Sequence, residues 1–151
     1  MKRESFVVLM AEDDEHDIVA TRRAWKKHHI ANPLYIVNDG EECIDFLRRR
    51  GKYSEPGTAP RPGILLLDIK MPKMDGLAVL KQIRDDEELR SLPVIILTTS
   101  KADEDRLRSY DLGVNAYIVK PVGFERFSKA VRTINLFWQL VELPGGDRGS
   151  E

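Results

Sequence analysis

The chain has 151 residues, with 24 Lys and Arg against 25 Asp and Glu and a net charge of -1. That length suits one domain with a proper core, and the balanced charge excludes the basic excess of a nucleic-acid binder. The longest apolar runs fall far short of the ~20 residues a bilayer span needs. The N-terminal MKRESFVVLMAEDDE meets charge too soon for a secretory leader. A single cysteine, Cys43, leaves no internal disulfide and fits a reducing cytoplasm. Its place beside Phe46 and Leu47 in a helical pattern predicts a buried, inert thiol.

Residues 6–10, FVVLM, predict a buried strand by length and β-branching, followed by four acids from Glu12 to Glu15. A helix is predicted over 17–29, with Asp17 as its cap or a first-turn acid. Ile18, Thr21, Ala24, Trp25 and His28 recur there at three- and four-residue spacing, and Pro33 closes the stretch. Residues 34–37 predict a second strand. Asn38-Asp39-Gly40 predicts a turn in which Asp39 caps a helix over 41–50. The stretch 51–63, GKYSEPGTAPRPG, predicts a long solvated loop. Residues 64–67 form a third apolar run that ends in Asp68. Met71, Pro72 and Asp75 make the loop after it, and Gly76 opens a helix with Leu77, Leu80 and Ile83 on one face. That helix ends between Arg84 and Arg90. A fourth strand is predicted over 94–97, followed by Thr98-Thr99-Ser100, and a short charged helix over 103–112 that Gly113 terminates. A fifth strand over 116–119 runs into Lys120-Pro121. A last helix covers 124–140 and stops before Pro144-Gly145-Gly146, leaving 144–151 as a disordered tail. Five strands alternating with five helices predict a parallel sheet covered on both faces, a single doubly wound domain.

All strands of such a sheet end along one edge. Glu12 and Asp13 follow the first strand, Asp68 ends the third, Thr98 follows the fourth and Lys120 follows the fifth. Several carboxylates gathered there repel one another; a pair at 4 Å costs on the order of 4 kcal/mol at an effective dielectric of 20. The set needs a cation, and all-oxygen ligands suit Mg²⁺ or Mn²⁺ over zinc. Acids, divalent metal, lysine and hydroxyl together suit phosphoryl chemistry, in which an aspartate can itself become an acyl phosphate. His16, His28 and His29 form no convincing transition-metal set.

The segments VLMAEDD, LLLDIKMPKMDG, PVIILTTS and NAYIVKP, each at a strand end, resemble the receiver domain of two-component response regulators. The resemblance spans about residues 5–140. It implies a flavodoxin-like (βα)5 fold with strand order 2-1-3-4-5, a single domain over 1–143 and no output domain. It implies Asp68 as the phosphoacceptor, and Mg²⁺ on Asp13, Asp68 and the Lys70 backbone carbonyl, with Glu12 acting through water. Thr98 is then the switch hydroxyl, Lys120 the phosphoryl-binding lysine and Tyr117 the aromatic switch, with a cis Lys120-Pro121 peptide. The long loop before the third strand, the LTTS and the closing INLFWQLVELP are similar to single-domain regulators partnered with bacterial and cyanobacterial phytochromes. The implied partner is a sensor histidine kinase of phytochrome type, with passage to a histidine phosphotransferase in a phosphorelay as the alternative.

The chain is expected to be a phosphoacceptor, at most catalysing its own phosphorylation and dephosphorylation. A phosphatase with an aspartyl nucleophile wants a second acid two places on, where this chain has Lys70. A flavin or nucleotide binder wants a glycine-rich phosphate loop where this chain has AEDDEHD. Lys70 departs from the small polar residue frequent there and predicts an altered dephosphorylation rate. The last helix carries one apolar stripe of Phe127, Val131, Ile134, Trp138 and Val141, and a second of Ala130, Phe137 and Leu140. With Leu136, the second stripe predicts a homodimer through the face of the fourth helix, fifth strand and fifth helix.

Overall fold

The computed structural model describes residues 6–120 and 123–134. Five parallel strands, β1 (Val7–Ala11), β2 (Leu34–Val37), β3 (Pro62–Asp68), β4 (Val94–Thr98) and β5 (Ala116–Val119), form one sheet in the order β2-β1-β3-β4-β5. The helices between them are α1 (Glu15–Lys27), α2 (Gly40–Arg48), α3 (Gly76–Asp85), α4 (Lys101–Arg108) and α5 (Phe124–Ile134), with a 3-10 turn at Gly51–Tyr53. This is the doubly wound arrangement expected from the alternation of strands and helices.

The central strands are apolar on both sides because both faces of the sheet are covered. Leu9, Ala11, Leu65, Leu67, Val94 and Ile96 point to a core closed by Cys43, Phe46 and Leu47 of α2, Leu80 and Ile83 of α3, and Leu107 of α4. Val8, Met10, Ile64, Leu66, Ile95 and Leu97 point to the other side, under Phe127, Ala130 and Val131 of α5 and beside Trp25 of α1. The period-two alternation thus assigns every core residue of the central strands to one layer or the other.

Several element ends differ from expectation, and capping explains them. Asp14 caps α1 and Asp17 is a first-turn acid, the second of its two expected places: the Asp14 carboxylate accepts from the N–H groups of His16 and Asp17 at 2.8 and 3.2 Å. Asp39 caps α2 as expected, accepting from Glu42 at 2.7 Å. Strand β3 begins at Pro62, inside the stretch expected to be loop, because a first strand position tolerates a residue with no N–H. Helix α4 starts earlier, at Lys101, because Ser100 caps it through the Asp103 N–H. It also ends earlier, at Arg108; Asp111 takes a left-handed φ of 51° before Gly113 is reached. Cys43 is fully buried, and burial pushes its thiol well above the ordinary range. The Lys120–Pro121 peptide and the residues expected at a dimer interface, Leu136, Phe137 and Leu140, lie outside the described residues.

Candidate phosphoacceptor site

The cleft at the C-terminal edge of the sheet is built by strand ends. Asp68 closes β3, 6% exposed, in register with Leu97 of β4. Glu12 follows β1 and is fully buried; its N–H is held by the Val37 carbonyl of β2 at 2.9 Å. Asp13, next in the chain, is exposed. The β3–α3 loop turns back tightly, with the Gly76 N–H donating to the Ile69 carbonyl at 2.7 Å. A Cβ on Gly76 would stand 2.5 Å from the Asp68 carbonyl oxygen, so only glycine lets α3 start this close to the end of the strand.

Glu12, Asp13 and Asp68 each bring an oxygen within 4.8 Å of the others. Lys120 crosses from the end of β5 with its ammonium 2.7 Å from Glu12, 3.1 Å from Asp17 and 3.2 Å from Asp68. Burial pushes the Glu12 carboxyl up to about 7, with the charge of Asp68 adding and Lys120 and the Asp14 N–H opposing. Burial likewise raises Asp68, against the pull of Lys120, Glu12 and the Lys70 N–H. Burial alone would lower Lys120; hydrogen bonding to Glu12 and the charges around it overcome that and hold the ammonium above its ordinary value. One cation therefore serves several carboxylates, two of which burial makes harder to ionise. The donor set is hard oxygen, with no His or Cys in the described cluster, which fits Mg²⁺ or Mn²⁺.

Thr98 ends β4 and is buried. Its hydroxyl donates to the Ser100 carbonyl and accepts from the Ser100 N–H, both at 3.0 Å. Tyr117 of β5, paired in register with Ile96, is half-buried on the α4 side of the sheet. Lys70 is the residue whose surroundings the sequence left open. Its ammonium lies 3.4 Å from Asp103 in the first turn of α4, and its side chain is 75% exposed. The cleft encloses about 240 Å³ between Glu12, Asp13, Asp68, Thr98, Lys120 and Asp103.

The structure thus gathers Glu12, Asp13, Asp68, Thr98 and Lys120, all expected here, and keeps Tyr117 two residue pairs back from Thr98 on the neighbouring strand. Sequence reasoning missed Asp17, assigned only to the start of the first helix, and Asp103 as cleft residues. Asp17 lies one α1 turn beyond the acidic pair, on the side of Lys120; a three-residue offset from Asp14 was the available signal.

These features match known proteins over most of the chain. The response regulator receiver domain family matches residues 8–132. Response regulator Rcp1 of Synechocystis sp. is 37% identical over 139 residues, covering 91% of this chain and 92% of Rcp1. The structure of the bacteriophytochrome response regulator AtBRR is similar with a TM-score of 0.83 and 41% identity, covering 93% of this chain and 99% of that one. A Mn²⁺-bound form of Rcp1 superposes with a TM-score of 0.71 at 33% identity, over 93% of this chain and 99% of that one. With the family matched over residues 8–132 and Rcp1 37% identical over nearly its whole length, the chain belongs to the response regulator receiver domains of two-component signalling.

Proposed function

We propose that Asp68 accepts a phosphoryl group from a sensor histidine kinase and that the phosphorylated chain is the signalling state. The observation that carries this reading is the meeting of Asp68 with Glu12, Asp13, Thr98 and Lys120 in one cleft. In the transfer, a carboxylate oxygen of Asp68 bonds to phosphorus as the phosphohistidine P–N bond breaks and the imidazole leaves. A bound Mg²⁺ or Mn²⁺ neutralises phosphoryl oxygens; Asp13, Asp68 and the Lys70 carbonyl would hold it, with Glu12 acting through water. Lys120, steadied by Glu12 and Asp17, stays within reach of the same oxygens. The Thr98 hydroxyl leaves Ser100 for a phosphoryl oxygen, and Tyr117 turns into the space it vacates.

The kinase is of phytochrome type. Support comes from the likeness to Rcp1 and to a bacteriophytochrome response regulator. Such a partner places the protein in the cytoplasm, and no described helix is long and apolar enough to cross a membrane. Output runs through a homodimer on the α4–β5–α5 face, where Val119 of β5 is 47% exposed. The test is phosphotransfer from phytochrome histidine kinases to wild type and Asp68→Asn. Labelling is expected only of wild type and only with Mg²⁺; equal labelling of both proteins sinks the assignment. Mass in solution is expected to rise with concentration. A strict monomer, with or without a phosphoryl mimic, removes the dimer.

A further inference from the structure

Tyr117 is held by a built structure on α4. Glu104, 11% exposed in its side chain, accepts from the Arg108 guanidinium at 2.8 and 2.7 Å through two nitrogens. Lys101 adds a second cation at 3.6 Å. The paired guanidinium lies over the Tyr117 ring, 4.1 Å from its centroid. A fork held at two nitrogens by a buried carboxylate has little freedom to leave the ring, so the stacking is presented rather than incidental. In this arrangement the Thr98 hydroxyl is engaged with Ser100, and among the described residues no hydrogen bond joins it to Asp68. The ring is therefore clamped in the state that precedes the switch.

We infer that Arg108 is a positioning residue for the switch: braced by Glu104, it holds the Tyr117 ring in the place it takes while Thr98 is bonded to Ser100, and so sets how strongly a phosphoryl group on Asp68 must bias the equilibrium. The inference rests on the phosphoacceptor reading and adds to it a residue far from the acidic cleft. A cation over an aromatic face favours the stacked state, and that state must be given up when the ring turns in. By linkage, whatever stabilises the stacked ring weakens binding at Asp68 by the same factor. Removing the clamp therefore strengthens the response to phosphoryl, without touching any group in the cleft.

The test uses the full chain, Mg²⁺ and beryllofluoride, an aspartyl phosphate mimic, with NMR of the Tyr117 ring as the second readout. Arg108→Ala is expected to tighten beryllofluoride binding about fivefold and to move the free-state Tyr117 signals toward their bound positions. In a Tyr117→Ala background the same substitution is expected to leave binding unchanged. Should Arg108→Ala fail to fold, Glu104→Gln carries the test with the same sign. An unchanged affinity in the Tyr117-containing protein, or an equal change in both backgrounds, overturns the clamp while leaving the phosphoacceptor reading intact. Wild type that binds no beryllofluoride at Asp68 overturns both.

Discussion

Buried charge is treated in opposite ways at the two edges of the sheet. At the edge where β4 and β5 begin, the Arg84 guanidinium donates to the carbonyls of Leu112 at 2.7 Å, Arg90 at 2.9 Å, Leu92 at 2.8 Å and Gly113 at 2.8 Å. It pins the α3–β4 and α4–β5 connections with each contact a hydrogen bond from a charged donor. At the other edge, Lys120 is the one cation among the described residues paired with Glu12, Asp17 and Asp68, while burial holds Glu12 and Asp68 above their ordinary pKa. The first edge is satisfied and closes the fold. The second is left short of positive charge, which gives a cation and a phosphoryl group something to complete.

The comparison predicts opposite signs for losing a charge. Arg84→Ala strips four carbonyls of their donor and is expected to cost about 2–4 kcal/mol in urea unfolding, with Arg84→Lys recovering only part. No loss would mean that solvent serves those carbonyls equally well. Asp68→Asn removes a carboxylate that the fold disfavours, so the metal-free protein is expected to gain about 0.5–2 kcal/mol while losing phosphoryl acceptance. A destabilised Asp68→Asn would show that Lys120 needs that charge more than Glu12 resents it.

Acidity sharpens the contrast. In the folded metal-free protein Glu12 titrates near about 7, against an ordinary 4.5. The folded chain holds that proton more tightly than the unfolded chain does. This contribution to stability is therefore fully present below about 4.5, shrinks as pH rises toward 7 and is absent above. Metal competes with the same proton, so Mg²⁺ affinity is expected to rise over that window and then flatten, with proton release measurable by calorimetry in two buffers. A pH-independent affinity would place Glu12 outside the metal's reach. The smallest expected effect is at Cys43: buried on the core side of α2 and with its thiol raised, it should not react with thiol reagents until the chain unfolds.

Most of the architecture was legible because each strand end carries its own signature. The alternation through Ile64, Leu65, Leu66 and Leu67 divides the two cores, and β2 and β5 fall where their apolar runs lie. Local capping was less legible. Ser100 reads as the tail of a strand, and only its contact with the Asp103 N–H reveals the start of α4. Long side chains were least legible. Arg84, Arg108 and Lys70 find partners across elements, and nothing in the local period says where a guanidinium or an ammonium will land. Lys70 was expected to alter phosphate lifetime; its exposed ammonium lies 3.4 Å from the largely covered Asp103 carboxylate of α4.

The central claim is that the phosphoryl group sits on Asp68. Borohydride reduces an acyl phosphate to an alcohol, so treating the phosphorylated chain and mapping its peptides by mass spectrometry reads the position directly. The account predicts homoserine at position 68 in the Mg²⁺-dependent product and nowhere else. Homoserine in place of Asp13 or any other aspartate, with residue 68 recovered as aspartate, would contradict it.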